Sequence, residues 1–255
     1  MTSLEKYLRE LRSSGRKALV PYFVAGVTPD WITYIEAAAH AGADAIEIGI
    51  PFSDPMMDGV VIQEAALRAL DAGTNLDSIS ADLSALTASV PLIAMTYYNI
   101  FHHYGVERAA GKLQSSGITG AIVPDLPLEE GAEWFAACAT HDVASILLVA
   151  PSTPNDRVAR ITSATQGFCY ASARMAVTGR SSDGGEGGRV VERIRQTSDI
   201  PAYIGIGITS PSQAHDASMA GDGVIVGSVL VQAVLDGASA SEIELMVRQF
   251  RLAID

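Results

Sequence analysis

Short runs of apolar and β-branched residues recur along the chain, separated by stretches whose apolar positions fall three and four residues apart. The runs cover residues 18–25, 44–50, 92–98, 119–124, 143–149, 167–171, 202–206 and 223–226, and each reads as a strand. The intervening spacing predicts helices, among them 31–41, 62–72, 106–115, 129–140 and 190–196. Several runs are apolar on both faces (AIVP, SILLVA, GVIVG), as strands buried in a parallel sheet must be. Strand–helix alternation implies parallel strands joined by crossover helices. Eight such units in 255 residues suit a closed (β/α)8 TIM barrel, a single domain over 1–255. An open doubly wound sheet is the competing architecture, but no G-x-G-x-x-G follows the first strand. Ahead of the first strand, Leu4, Tyr7, Leu8 and Leu11 form one apolar stripe, which predicts an extra N-terminal helix packed on the body of the protein.

Composition narrows the function. Hydrophobic residues make up 48% and charged residues 18%, enough to build a core without staples. A net charge of −12 repels phosphate backbones and anionic lipid, which argues against nucleic-acid and membrane-surface partners. A small anion remains possible, because backbone N–H groups and helix N-termini bind one locally. Cys138 and Cys169 lie in apolar runs with no metal-ligand spacing, as expected of a reducing, cytoplasmic setting without a metal. No apolar run approaches the roughly 20 residues of a membrane span, and the N-terminus lacks the apolar stretch of a signal peptide.

In a barrel, chemistry gathers where strands end. Glu47 interrupts the apolar run Ala45-Ile46-Glu47-Ile48. Burial there raises a carboxyl pKa and suits a general acid–base, unless Glu47 forms a structural ion pair. Asp58 follows in a loop rich in turn formers and can fold back opposite Glu47, while Asp54, beside Pro55, suits a plain turn. Three later segments look built for phosphate: Val177-Thr178-Gly179, Gly205-Ile206-Gly207 and Gly227-Ser228. Glycines admit an oxyanion close to backbone N–H groups, and the last pair opens a helix. Tyr22, Ile62, Met95, Tyr97 and Tyr170 would ring an aromatic-sized pocket, or serve as core. His102 and His103 sit at a predicted helix start, and Arg174 lies near the stretch 179–188 (GRSSDGGEGG), which reads as a mobile lid or a plain surface insertion.

Six segments together resemble the tryptophan synthase α-subunit family over nearly the whole chain: EIGIPFSDPMMDGVVIQ (47–63), YYNIFHHYG (97–105), GAIVPDLPLEE (120–130), VTG (177–179), IGIGIT (204–209) and DGVIVGS (222–228). The resemblance implies a (β/α)8 barrel that cleaves indole-3-glycerol phosphate to indole and glyceraldehyde 3-phosphate. It implies no cofactor in this chain, and a β subunit carrying pyridoxal phosphate as partner in an α2β2 tetramer. By motif, the catalytic carboxylates fall on Glu47 and Asp58 and the pocket tyrosine on Tyr170. The phosphate-binding backbone falls on Gly179, Gly207, Gly227 and Ser228. Thr178 matches a lid threonine that contacts the aspartate, and Asn99 and Asp125 match residues around the mouth. The chain departs from the family at Met57, Val60 and Ala176, where alanine, proline and glycine are usual. These changes fall in the loops that close over substrate and signal to the β subunit, so a stand-alone, indole-releasing lyase of the same family is the alternative. A different phosphate-binding barrel enzyme would not need the Glu47/Asp58 pair, and a non-catalytic barrel would need neither carboxylate.

Overall fold

The computed structural model describes residues 1–86, 89–172, 185–205 and 207–255. Its strands are β1 (Ala18–Val24), β2 (Ile46–Gly49), β3 (Leu92–Met95), β4 (Ile118–Ile122), β5 (Ala144–Ile146), β6 (Leu148–Val149), β7 (Cys169–Ser172), β8 (Ala202–Gly205) and β9 (Gly223–Val226). They pair in parallel in the order β5-β4-β3-β2-β1-β9-β8-β7-β6. The two ends of that order are one stretch of chain, because only Leu147 separates β5 from β6. The Leu147 N–H donates to the Thr165 hydroxyl at 2.9 Å and its carbonyl accepts from the Tyr170 N–H at 3.0 Å. The sheet therefore closes on itself as a (β/α)8 TIM barrel, and the open-sheet alternative is excluded.

Every predicted strand is present: 223–226 keeps its bounds, 143–149 divides into β5 and β6, and the others differ at their ends by a few residues where the chain turns out of the barrel. The third strand ends early: Tyr98, within the predicted run, is the first residue of helix Tyr98–Tyr104. His102 and His103 lie in the last turn of that helix, directly ahead of the predicted helix at Val106–Ser115. The glycine-rich lid prediction also changes in part. Residues 185–188 form the first turn of helix Gly185–Arg195, and Gly187 and Gly188 are buried within it. The rest of that stretch, Gly179 included, and the neighbouring Arg174, Ala176 and Thr178 lie outside the described residues.

Two apolar layers follow from the period of two along each strand. Outward positions such as Leu19, Ile46, Ile48 and Ala94 pack under the surrounding helices. Inward positions, including Ala18, Val20, Ala45, Ile93, Ile122, Ala144, Ile146, Phe168 and Tyr203, fill the barrel. Helix Ser3–Ser13 plugs its lower end with Leu4 and Leu8, both fully buried in that inner cluster. Each such leucine contributes about 1.5–3 kcal/mol. The plug requires Gly120, since a Cβ there would fall 2.7 Å from Leu4 Cδ2. At the same end, buried Asp44 accepts from Leu19 N–H, Arg16 and Arg251 at 2.7–2.9 Å, tying helix Ala240–Ile254 to the barrel. The opposite, C-terminal end of the strands is left open.

Candidate active site

Counting inward positions up each strand leads to the barrel mouth. Tyr22 on β1, Glu47 on β2, Met95 on β3, Leu148 on β6, Tyr170 and Ser172 on β7, and Ile225 on β9 continue the inner faces below them, and Pro124 continues β4. With Asp58, Ile62, Gly207, Gly227 and Ser228 they line a cavity of about 360 Å³. That size holds a small aromatic ligand with a polar tail.

Glu47 is 1% exposed. In register it lies between Tyr22 and Ile93, so its neighbours in the sheet carry no positive charge. Among the described residues no cation pairs with it, and Oε2 has no hydrogen-bond partner. Burial, with the negative charge of Asp58 adding, pushes its carboxyl up to about 8. The structural ion pair is not formed among the described residues. A buried carboxyl that is neutral at pH 7 and titrates just above it can both give and take a proton.

Asp58 reaches the same cavity from the loop between β2 and helix Val60–Asp71. Its backbone N–H donates to the Pro55 carbonyl at 3.2 Å, and the Gln63 amide donates to the Asp58 carbonyl at 2.9 Å. The Tyr97 hydroxyl donates to Asp58 Oδ2 at 3.1 Å. Burial raises the Asp58 carboxyl and the Tyr97 hydrogen bond opposes that rise. Asp54 takes the plain turn role, exposed and bonded to the Ser53 hydroxyl and Met56 N–H.

Neither Tyr97, which its spacing assigns to this cavity, nor Asp125, which the family motif assigns to the mouth, lines it. Tyr97 lies behind Asp58, bordering a small adjoining void of about 20 Å³ with Tyr22 and Phe52. Its ring stacks on Phe52 at 5.1 Å. Asp125 accepts from the Tyr98 N–H at 2.8 Å and so caps helix Tyr98–Tyr104 from the neighbouring loop. Asn99, His102 and His103 are exposed on that helix.

The tyrosines of the wall are seated by glycines. A Cβ at Gly205 would fall 2.2 Å from the Tyr170 hydroxyl oxygen, so this glycine makes room for the ring. Burial, with Glu47 and Asp58 nearby, holds the Tyr22 and Tyr170 hydroxyls well above their ordinary range, and both remain neutral.

Backbone donors come from the far side of β1. Gly207 has φ +78° after β8, in the left-handed region that favours glycine. Gly227 precedes helix Ser228–Leu235 with no side chain capping it. The first N–H groups of a helix lack intrahelical partners, and the helix dipole makes that end positive. The carboxylates on β2 and in the loop after it, and these donors past the ends of β8 and β9, thus flank Tyr22, with β1 between them.

Pro124, Leu148, Ser172, Ile208 and Ile225 also line the cavity and were not predicted. A count of two from Ile122, Ile146, Tyr170 and Gly223 finds four of them; Ile208 belongs to a loop and carries no such periodicity. Among the described residues no cluster of His, Cys, Asp and Glu could hold a metal ion. None of the described helices is long and apolar enough to cross a membrane.

Comparison with known proteins adds to this geometry. Residues 8–253 match the family model described as tryptophan synthase alpha chain. The chain is 39% identical to the tryptophan synthase alpha chain of Picosynechococcus sp., covering 94% of this chain and 93% of the relative. It is 40% identical to that of Thermobifida fusca, over 98% and 95%. Among solved structures, the aminoacrylate-bound form of M. tuberculosis tryptophan synthase matches with TM-score 0.90 and 33% identity over 100% of both chains. Tryptophan synthase subunit alpha from Legionella pneumophila matches with TM-score 0.90 and 29% identity over 100% and 99%.

Proposed function

The chain belongs to the tryptophan synthase alpha chain family, the carbon–carbon lyases that act on indole-3-glycerol phosphate in tryptophan biosynthesis, and on that premise we propose that Glu47 and Asp58 carry this cleavage here. The observation that supports it most is the buried Glu47, without a cation partner among the described residues and with its carboxyl raised to about 8, sharing one cavity with Asp58.

The reaction is a retro-aldol cleavage. Indole C3 must gain a proton, and the side-chain hydroxyl nearest the ring must lose one. Below pH 8 Glu47 starts protonated and gives its proton to C3. The electrons of the ring then leave nitrogen positively charged. The Glu47 carboxylate takes the hydroxyl proton as the C–C bond breaks, the carbonyl of glyceraldehyde 3-phosphate forms, and the bonding electrons return to indole. Glu47 ends as it began. Asp58, whose ionised form the Tyr97 hydrogen bond favours against the opposing effect of burial, accepts from the indole N–H and balances the transient positive charge. Tyr22, Ile62, Met95 and Tyr170 bound the ring site. Gly207, Gly227 and Ser228 hold the phosphate by backbone N–H groups, which fixes the scissile bond beside Glu47. Thr178 and Gly179, outside the described residues, are assigned to substrate and phosphate by the family motif, and Tyr97, with Asp125 bonded to the adjacent Tyr98 N–H, acts from behind the site. The chain needs no cofactor of its own.

A β subunit that carries pyridoxal phosphate, joined in an α2β2 tetramer in the cytoplasm, completes the reading. Met56, Met57 and Val60 support it: they are 83%, 57% and 80% exposed on the loop and helix start beside the mouth. Three exposed apolar side chains at the cavity rim favour a covered mouth over a stand-alone enzyme. Indole release from indole-3-glycerol phosphate, measured with and without added β subunit, tests both parts. Cleavage by the isolated chain that the β subunit accelerates is expected. Cleavage indifferent to it would favour the stand-alone lyase.

A further inference from the structure

Tyr22 sits between β2 and β9, and its ring has a different relationship to the glycine on each side. A Cβ at Gly49 on β2 would fall 2.1 Å from the Tyr22 hydroxyl oxygen and 2.6 Å from ring Cζ. A Cβ at Gly227, just past β9, would meet Tyr22 Cβ and Cδ1 at 3.5 Å, an ordinary contact. The ring therefore leans toward β2, and its phenol end occupies the space of a residue-49 side chain. Gly49 is not among the positive-φ glycines, so its backbone would accept any residue. The three atoms nearest to such a side chain all belong to Tyr22.

The β1 backbone is paired on both sides and cannot retreat. A methyl group at 49 would turn the ring about its side-chain torsions, back over the cavity and toward Gly227 and Ser228. We propose that Gly49 is a positioning residue for ligand phosphate: it leaves its side-chain space to the Tyr22 phenol and so holds that ring clear of the Gly227–Ser228 donors. The proposal rests on reading those donors as the phosphate site.

Calorimetric titration of the full-length protein with glycerol 3-phosphate, which carries the phosphate without the indole ring, tests it. Gly49→Ala should weaken binding by at least about tenfold, the cost of a forced clash in a packed wall. Gly49→Ala combined with Tyr22→Leu should restore binding to within about threefold of wild type, the spread expected once the clash is gone. Turnover should stay low in the double variant, because the ring wall is missing. If Gly49→Ala alone fails to fold, its conversion by Tyr22→Leu into a folded, probe-binding protein carries the same information. Unchanged binding by Gly49→Ala, or a loss that Tyr22→Leu does not relieve, would overturn the proposal. Failure of the wild type to bind the probe would overturn the phosphate-site reading with it.

Discussion

The Tyr97 hydroxyl holds Asp58 at two points of one loop: it donates to Asp58 Oδ2 at 3.1 Å and accepts from the adjacent Met57 N–H at 2.8 Å. A single phenol thus sets the position of the carboxylate and the backbone that carries it. The stack on Phe52 and the Asp125 bond to Tyr98 N–H fix the phenol in turn.

Tyr97→Phe keeps the stack and removes only the hydroxyl. Loss of a hydrogen bond to a charged group costs about 1.5–3 kcal/mol, so kcat should fall roughly 10- to 100-fold with KM little changed. Because that bond lowers the Asp58 pKa, its loss raises it, and the acidic limb of the kcat profile should move to higher pH. An unmoved limb would remove Tyr97 from Asp58 control.

Asp58→Asn leaves the shape of the site but cannot balance charge on the indole nitrogen. A loss of about 3–4 kcal/mol in the barrier, roughly 10²- to 10³-fold in kcat, is expected with the melting temperature nearly unchanged. Strong destabilisation with activity spared would show instead that Asp58 shapes the loop.

Glu47 also leaves a mark on stability. Its folded carboxyl titrates near 8, above its unfolded value, so the folded state holds the proton that the unfolded state releases. Stability is full below the unfolded pKa and is lost as pH rises toward the folded one, by up to about 4 kcal/mol between pH 4.5 and 8. Glu47→Gln, always neutral, should escape this decline. Denaturant melts of both proteins at pH 5 and pH 8 measure it, and parallel declines would contradict the buried-acid assignment.

Arg251→Ala should destabilise by about 3 kcal/mol without altering kcat, because it strips one partner from buried Asp44 at the end of the barrel remote from the site. Arg16 and the Leu19 N–H remain on Asp44 and limit the loss. A change in kcat at a temperature where the variant is fully folded would mean that the two ends are coupled.

The barrel was legible in the sequence because buried parallel strands are apolar on both faces, and that pattern survives without any tertiary information. Glu47 was legible for the same reason, since a lone carboxylate breaks such a run visibly. Tyr97 was misplaced because its own spacing continues β3 toward the mouth. The chain leaves the strand at Met95, and the helix that starts at Tyr98 turns the Tyr97 side chain behind the Asp58 loop. Asp125 was placed at the mouth by motif alone, and its bond to Tyr98 N–H joins two loops no local pattern connects. Pro124, Leu148 and Ser172 are ordinary residues in sequence. Only their place in the two-residue alternation, one step above the core, gives them to the cavity.

The most direct test of the account is indole release from indole-3-glycerol phosphate by the isolated protein, wild type against Glu47→Gln, followed from pH 6 to pH 9. The wild type should release indole, with kcat falling above about pH 8 as Glu47 loses the proton it must donate. Glu47→Gln should lose roughly 10²- to 10⁴-fold, the range for a general acid–base group. No indole from the wild type, or more than about a tenth of its rate left in Glu47→Gln, where a general acid–base has been removed, would contradict it.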